Sequence, residues 1–281
     1  MRLSTKLRKD QSSEDMVLVD TARDCQDRAP QLDRCCIYLI NLDRSTVRLN
    51  AVKKAFSEIK LPFQRVVAID AAHEDLSRYP IDHKRFKRRH GRTSIRSGEI
   101  GCYFSHLKAL TTFINSKYEF GLILEDDAMP EPQLLNAIDT LISWSDDWDI
   151  VPLFHVHRGA PAKIKQREGI SLNVHLANTS SAAAYLINRR AAEKLLHHLS
   201  VMQACIDHSL YETWRHGLKL RGVLPMPVKL MHHASQSTIN AEFVDKPIWI
   251  FRLPTFVLRS YIAIRFFLFS LWQLSLHLLR S

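Results

Sequence analysis

Three consecutive acidic residues, Glu125-Asp126-Asp127, follow directly after an apolar run, Tyr118 to Leu124. Such a run predicts a buried strand, so the carboxylates would lie at its carboxyl end, where their mutual repulsion calls for a cation. Successive side chains of an extended segment point to opposite sides, so Glu125 and Asp127 can share one side while Asp126 points away. This pattern suits Mg²⁺ or Mn²⁺, which bind carboxylates, water and substrate phosphates. The alternative is a solvated turn whose acids cap a following helix.

Alternating strand and helix patterns surround this tripeptide. Apolar, β-rich runs predict strands at residues 35–40, 63–69, 118–124, 149–154 and 182–187. Helical spacing predicts helices at residues 97–110, 134–141 and 189–199, and a helix after the first strand whose apolar stripe is Val47, Ala51, Ala55 and Ile59. The alternation predicts an α/β fold: a mostly parallel sheet with helices on both faces, in which ligands bind beyond the carboxyl ends of the strands.

Several segments, taken in order, resemble glycosyltransferase family 25, the lipooligosaccharide-modifying glycosyltransferases. They are INLDRS at 40–45 with Arg48, SGEIGC at 97–102 with SHL at 105–107, ILEDDA at 123–128, AYLI at 184–187, ID at 206–207 and STI at 237–239. The resemblance covers roughly residues 35 to 240. It implies a GT-A-like, Rossmann-like fold for this part of the chain.

The resemblance also implies an activity. Members of this family transfer a hexose, often galactose, from a UDP-sugar to a lipooligosaccharide or another glycan, with inversion at the anomeric carbon. An acidic motif after a strand holds a divalent ion, Mn²⁺ or Mg²⁺, on the diphosphate. That role falls first to Asp127, with Glu125 on the ribose side or on the waters of the ion, and His232 is a candidate to complete the metal ligands.

Inverting transfer needs a base that takes the proton from the attacking hydroxyl. Asp207 is the first candidate, and its alternative role is a first-turn acid of a helix. Glu99 is a second candidate with the same alternative. His106 is the third, and the competing interpretation is a core histidine held in one tautomer.

Polar residues follow the first two predicted strands, where a sheet of this type binds the base and ribose of a nucleotide. Asn41, Asp43, Arg44 and Arg48 follow the first strand, and Asp70 follows the second. We expect these five to contact the nucleotide. The alternative for the two arginines is a solvated helix face.

The net charge of +10 is concentrated in two segments. Residues 83–96 carry seven Lys and Arg and no acid, and residues 246–281 carry five and no acid. The other 27 basic residues face 29 acidic ones, so the body is nearly neutral and nucleic acid is not an expected partner. We expect the first segment to overhang the sheet edge and to meet phosphates of a glycolipid acceptor or of the lipid surface. A solvated loop is the alternative.

Residues 246–281 predict a membrane-associating tail. The tail is apolar and aromatic with spaced arginines, and its longest uncharged run, Phe266 to Leu279, is too short to span a bilayer. It predicts an amphipathic helix in the interface of an anionic membrane. The alternatives are a helix packed on the sheet and a span centred on Arg265. The expected location is the cytoplasmic face of the inner membrane, as a peripheral protein.

The remaining segments complete the expected organisation. Residues 1–34 are polar without sustained periodicity and predict a flexible extension, residues 35–245 the transferase domain, and residues 246–281 the tail. The N-terminus lacks the apolar core of a secretory signal. Five cysteines without C-x-x-C spacing favour a reducing compartment. The sequence gives no indication of the oligomeric state.

Overall fold

The computed structural model describes residues 16–17, 31–157, 159–231 and 252–279, and its centre is a six-stranded sheet. In spatial order the strands are β1 (Met16–Val17), β3 (Phe63–Val67), β2 (Cys35–Asn41), β4 (Phe120–Glu125), β9 (Ala184–Asn188) and β6 (Ile150–Pro152). Strand β2 pairs in parallel with both β3 and β4, whereas β9 runs antiparallel to β4 and β6, and β1 antiparallel to β3. The α/β prediction is confirmed, but the prediction of a mostly parallel sheet is wrong: the sheet is mixed, and parallel pairing is confined to β3, β2 and β4.

Helices cover both faces of the sheet, as the strand composition predicts. Along β2, Tyr38 and Ile40 join one hydrophobic core, while Ile37 and Leu39 join the other. The first core packs under α2 (His83–His90), α3 (Ser97–Ile114), α5 (Arg189–His198) and α6 (Ile206–Tyr211). The second packs under α1 (Thr46–Glu58) and α4 (Leu134–Ser143). Burial on both faces explains why β2 has no polar alternation.

Two smaller sheets extend the domain. Strands β7 (Pro161–Arg167), β8 (Ile170–His175) and β10 (Gly222–Leu224) form one, and β5 (Ala128–Pro130) with β11 (Val228–Leu230) forms the other. The β7–β8 hairpin turns at Glu168 and Gly169, whose φ angles of 49° and 80° suit a tight two-residue turn. This hairpin lies outside the strands predicted from the sequence.

The apolar stripe predicted for α1 is wrong, because the helix is rotated about its axis so that other residues face the core. Val47, its first member, is 82% exposed, whereas Val52 and Phe56 are buried. Phe56 packs edge to face on Phe63 of β3, with 5.5 Å between the ring centroids. A phenylalanine buries far more apolar area than the alanines of the predicted stripe, so it sets the rotation of the helix.

The basic segment 83–96 forms α2 and the turn after it, and two of its arginines are internal. Arg89 pairs with Glu212 at 3.1 Å, and Arg92 pairs with Glu99 at 2.6 Å. Both guanidinium groups are about nine-tenths buried. The expectation of an overhanging basic segment therefore needs correction, because part of its charge stabilises the packing of α2.

The C-terminal segment contains one long helix, α7 (Leu253–Leu278), which lies against α2, the turn at Thr213–Arg215 and the β7–β8 hairpin. Thr255 donates a hydrogen bond to the carbonyl of Arg88 at 2.8 Å. Gln273 donates to the carbonyl of Leu218 at 3.2 Å and accepts a bond from buried Arg221. The helix is thus docked on the body of the protein, which agrees with the alternative of a packed C-terminal helix, whereas the membrane contact of the tail stays a prediction.

The opposite side of α7 is apolar and exposed. The length and composition of α7 as a whole would suffice to cross a membrane, but 22% of its most apolar stretch is buried against the protein. The exposed apolar residues include Val257, Ile264, Phe267, Leu268, Leu271 and Trp272. Arg265 lies over the ring of Trp214, 5.1 Å from its centroid, so its charge turns towards the body rather than outwards.

Candidate functional site

A cleft opens where β2, β3 and β4 end, at the edge where parallel strands present their carboxyl ends. Its walls are these strand ends, the start of α1 and the first turns of α3. Seven residues predicted from the sequence line it: Asn41, Arg44, Arg48, Asp70, His106, Glu125 and Asp127. The structure thus brings together the acidic tripeptide and most of the predicted nucleotide contacts.

Asp126 anchors the acidic tripeptide to the neighbouring strand. Asn41 donates a hydrogen bond to its Oδ2 at 2.8 Å, and Arg48 donates to its Oδ1 at 3.0 Å. Arg65, on β3, in turn donates to Asn41 Oδ1 at 3.0 Å. Asp126 therefore points towards β2, away from the α3 side that Glu125 faces, as the predicted alternation of side chains requires.

Glu125 faces α3, where it accepts two hydrogen bonds. His106 Nε2 lies 3.0 Å from Glu125 Oε1, and the Cys102 thiol donates to the same oxygen at 3.3 Å. His106 Nδ1 lies 3.1 Å from the hydroxyl of Tyr185. Burial alone would raise the pKa of Glu125, but the hydrogen bond and the charge of His106 outweigh it and lower that pKa. Glu125 is therefore an ionised carboxylate fixed in position.

Asp127 differs from both neighbours, because its buried Oδ1 accepts no hydrogen bond among the described residues. Burial raises its pKa to about 7, and the negative charges of Glu125 and Asp126 add to the shift. An ionised carboxylate without a partner is costly at such a place. A cation on Asp127 would remove this cost.

The oxygen donors of the tripeptide fit Mg²⁺ or Mn²⁺, which prefer carboxylate ligands. Asp127 offers an oxygen that has no partner among the described residues, and Glu125 also lines the cleft. The ligand atoms of Cys102, His106 and Glu125 also lie within 4.8 Å of one another. Burial holds the pKa of the Cys102 thiol well above its usual range, so this group stays a neutral hydrogen-bond donor rather than a thiolate ligand.

The two predicted contacts at the ends of β2 and β3 meet across the cleft mouth. Arg44 forms an ion pair with Asp70, and His73 Nδ1 lies 3.2 Å from the same carboxylate. Asp43 does not line the cleft: it is exposed and pairs with Arg65 at 2.6 Å. Asp43 thus orients Arg65, which donates a hydrogen bond to Asn41.

The first turns of α3 are held close to the chain that follows β3. A Cβ atom added at Gly101 would lie 2.5 Å from the carbonyl oxygen of Ile69, so only glycine permits this approach. Ser105 accepts a hydrogen bond from Ile69 N at 2.8 Å. Sequence reasoning assigned no role to Ser105, Cys102, Tyr185 or Arg65. The first three lie inside the resembling segments, which was the available signal.

Two predicted bases lie outside the lining of the cleft. Glu99 Oε2 accepts a hydrogen bond from the backbone N–H of Arg96 at 3.0 Å, which caps the start of α3, and Glu99 Oε1 pairs with buried Arg92, so both its oxygens are engaged. Asp207 is half-buried in the first turn of α6, and its charge contributes to the raised pKa of Cys102. Asp207 therefore lies within electrostatic reach of the cleft wall.

The third metal candidate, His232, lies outside the described residues, as do residues 237–239 of the resembling segments. Most of the N-terminal extension lies outside them as well. The four cysteines of the described part, Cys35, Cys36, Cys102 and Cys205, are free thiols.

Comparisons with known proteins agree with the resemblance. A family model described as "Glycosyltransferase family 25 (LPS biosynthesis protein)" matches residues 35–210. A curated protein of Drosophila pseudoobscura pseudoobscura, named "Glycosyltransferase 25 family member", is 29% identical over 110 residues. Those residues are 37% of this chain but 18% of that relative, so the match spans less than a fifth of its length.

Two solved structures share weaker similarity. A197 from STIV aligns with a TM-score of 0.39 at 9% identity, over 70% of this chain and 83% of that one. A glycosyltransferase involved in the glycosylation of the major capsid of PBCV-1 aligns with a TM-score of 0.30 at 13% identity, over 58% and 65%. Scores this low support no conclusion about the site.

Proposed function

The chain belongs to glycosyltransferase family 25, and we propose that its GT-A-like domain transfers a hexose, galactose first among the candidates, from a UDP-sugar to a lipooligosaccharide or LPS core. The proposed transfer inverts the anomeric centre and uses Mn²⁺ or Mg²⁺. The acceptor class follows from the description of the family. The donor and the stereochemistry follow from the resemblance and from the chemistry of the cleft.

The observation that carries the proposal is the buried Oδ1 of Asp127 in the cleft, which has no hydrogen-bond partner in the described part of the chain. A divalent ion held there by Asp127, with Glu125 beside it, would neutralise the charge that develops on the leaving diphosphate. Asp126 keeps the turn rigid, because both its oxygens are already engaged by Asn41 and Arg48. Rigid support of this kind preserves the geometry that phosphate recognition needs.

The nucleoside is assigned to the side of the cleft formed by β2 and β3. Asn41, Arg44 and Arg48 come from the end of β2 and the start of α1, and Asp70 follows β3. Arg44 and Arg48 supply positive charge near the diphosphate, and Asp70 supplies an acceptor for ribose or uracil hydrogen-bond donors. The competing role of the two arginines as a solvated face is disfavoured, since both contact acids that line the cleft.

The chemical step is a displacement at the anomeric carbon. The acceptor hydroxyl oxygen bonds to that carbon, the bond to the β-phosphate oxygen breaks, and UDP leaves. The hydroxyl proton passes to a base, for which we retain Asp207. His106 is fully buried and bonded on both ring nitrogens, so its proposed role is to position Glu125 rather than to accept the proton. Glu99 is assigned to the start of α3.

The proposed location is the cytoplasmic face of the inner membrane. The exposed apolar face of α7 supports this, because aromatic and aliphatic side chains there have no covering partner among the described residues. Docking of the opposite face fixes α7 on the catalytic domain, so the cleft would be held at a constant distance from the lipid surface. A glycolipid acceptor would then be presented to the enzyme within the membrane plane.

The test is turnover by the full chain with Mn²⁺, extracted glycolipid and a panel of UDP-sugars, with product stereochemistry read by NMR. Transfer from UDP-galactose to give the inverted linkage is the expected result. A different preferred sugar would change the donor assignment alone. UDP binding without transfer of any sugar would instead support a non-catalytic nucleotide-sugar or glycolipid-binding protein of the same fold.

A further inference from the structure

A second cavity, separate from the cleft, lies where α2, α5, α6 and α7 meet. Its volume is about 390 Å³, within the range of small-molecule sites. Arg85, Arg88 and Arg89 of α2 form one wall, and Leu258 and Ile262 of α7 form another. None of these residues takes part in the proposed transfer.

The polar lining of this cavity is strongly positive. Besides the three arginines of α2, its lining among residues 31–157, 159–231 and 252–279 contains Arg215 and one acid, Glu212. Glu212 is shared, because Arg89 lies 3.1 Å from one of its oxygens and Arg215 lies 2.6 Å from the other. Asp82, outside the lining, pairs with Arg85 at 3.4 Å. Two positive charges remain after both acids are counted, so the cavity selects for an anion.

Arg89 gives the cavity a built polar group rather than a surface charge. It is 8% exposed, and its buried Nε makes no hydrogen bond among the described residues. The buried Nδ1 of His216, which also lines the cavity, makes none either. A buried donor such as the Arg89 Nε–H is costly unless a ligand pairs with it. A phosphate group has acceptor oxygens for this donor and a negative charge for the positive lining.

The position of the cavity indicates where such a phosphate would come from. Leu258 and Ile262 are part of α7, and the next turn on the other side of the same helix carries exposed Ile264 and Leu268. If these apolar residues enter the acyl region, the cavity beside them lies at headgroup depth, where phosphates of membrane lipids are found. A site for free phosphate would not need exposed apolar residues on the same helix, so their presence favours a lipid phosphate.

We propose that this cavity binds the phosphate headgroup of an anionic membrane lipid, so that α2 and α7 together form one lipid-binding surface. The inference rests on the proposed membrane contact of α7, but not on the transferase reaction. Its test is therefore vesicle binding without any sugar donor, and a failure of the catalytic proposal leaves it unaffected.

The experiment compares sedimentation of the full chain with vesicles of phosphatidylcholine alone and of phosphatidylcholine containing phosphatidylglycerol, at physiological salt. The Arg85→Ser/Arg88→Ser variant should lose about ten-fold in partitioning to the anionic vesicles and little to the neutral ones. Lys84→Ser/Lys87→Ser is the matched control, since it removes equal charge from exposed positions of the same helix that do not line the cavity. We expect the control to lose about two-fold.

Three outcomes would overturn the proposal. Equal losses in the two double variants would mean diffuse attraction instead of a site. No preference of the wild type for anionic vesicles, together with binding of inorganic phosphate that depends on Arg85 and Arg88, would mean a free-phosphate site. An Ile264→Ser/Leu268→Ser variant that keeps its binding to both vesicle types would remove the premise that α7 contacts the membrane.

Discussion

Asn41 and Asp126 are joined across the ends of two adjacent parallel strands, with 2.8 Å between Asn41 Nδ2 and Asp126 Oδ2. The residues are 85 positions apart in the chain, and Arg48 occupies the other Asp126 oxygen at 3.0 Å. Asp126 and Asp127 of the acidic tripeptide therefore have different roles. Asp126 connects the turn to β2, whereas Asp127 has a buried oxygen that no described residue contacts by a hydrogen bond and that is available to a cation.

Replacing Asn41 with Ala should destabilise the protein by about 1–3 kcal/mol, because buried Asp126 loses a hydrogen-bond donor and Arg65 loses an acceptor. Urea unfolding at neutral pH measures the change. Asp43→Asn is the control, since Asp43 also contacts Arg65 but is 73% exposed. The control should change the unfolding free energy by less than about 0.5 kcal/mol. Equal effects of the two variants would contradict the role of Asn41.

The raised pKa of Asp127 predicts a pH dependence of stability in the metal-free protein. Its pKa is about 7 in the folded state against an ordinary value of 3.8. Between these values the unfolded chain binds fewer protons than the folded one, so this group lowers stability as pH rises from about 4 to about 7. Asp127→Asn removes this contribution.

In EDTA, the melting temperature of Asp127→Asn should therefore exceed that of the wild type at about pH 8 and approach it at about pH 5. Addition of Mn²⁺ at the higher pH should raise the melting temperature of the wild type alone. A difference between the two proteins that does not vary with pH would show that Asp127 titrates in its ordinary range.

Glu99→Gln separates the two roles considered for Glu99. Loss of its charge leaves Arg92 buried without a counter-charge, which should cost about 3 kcal/mol of stability. Because the carboxylate is engaged at the start of α3, kcat should stay within about three-fold of the wild type, measured well below the melting temperature. A fall in kcat of about 100-fold with unchanged stability would restore the catalytic interpretation.

Asp207→Asn tests the proposed base. The variant should lose about 100-fold or more in kcat, while the Kd for UDP stays unchanged, because the base acts only on the acceptor hydroxyl. Asp139→Asn, on α4 at the opposite face of the sheet, is the control and should leave both quantities unchanged. If Asp207→Asn turns over at the wild-type rate, another residue takes the proton.

The sequence predicted the parts of the fold that depend on local pattern. Burial on both faces of β2 follows from its unbroken apolar composition, and the residues at the ends of β2 and β4 could be placed in a cleft because parallel strands end together. The reversed direction of β9 could not be predicted, because a buried strand has the same composition in either direction. The β7–β8 hairpin was missed since β7 is largely exposed and polar.

The residues of the site that could not be predicted from the sequence are those whose partners are distant in the chain. Arg65 and Ser105 act through residues that are distant in the chain, so no spacing rule connects them to the acidic tripeptide. Charge density in residues 83–96 suggested a surface segment, but Arg89 pairs with Glu212, directly after α6, and Arg92 pairs with Glu99 of α3. Only the packing of helices reveals that these two arginines are internal.

The metal-binding role of Asp127 is tested most directly by one measurement: steady-state transfer from UDP-galactose to extracted glycolipid, with Mn²⁺ varied, for the wild type and for Asp127→Asn. We expect the variant to lose about 100-fold or more in kcat and to stop responding to Mn²⁺, while it remains folded. Unimpaired transfer by Asp127→Asn, with the Mn²⁺ dependence of the wild type, would contradict this role.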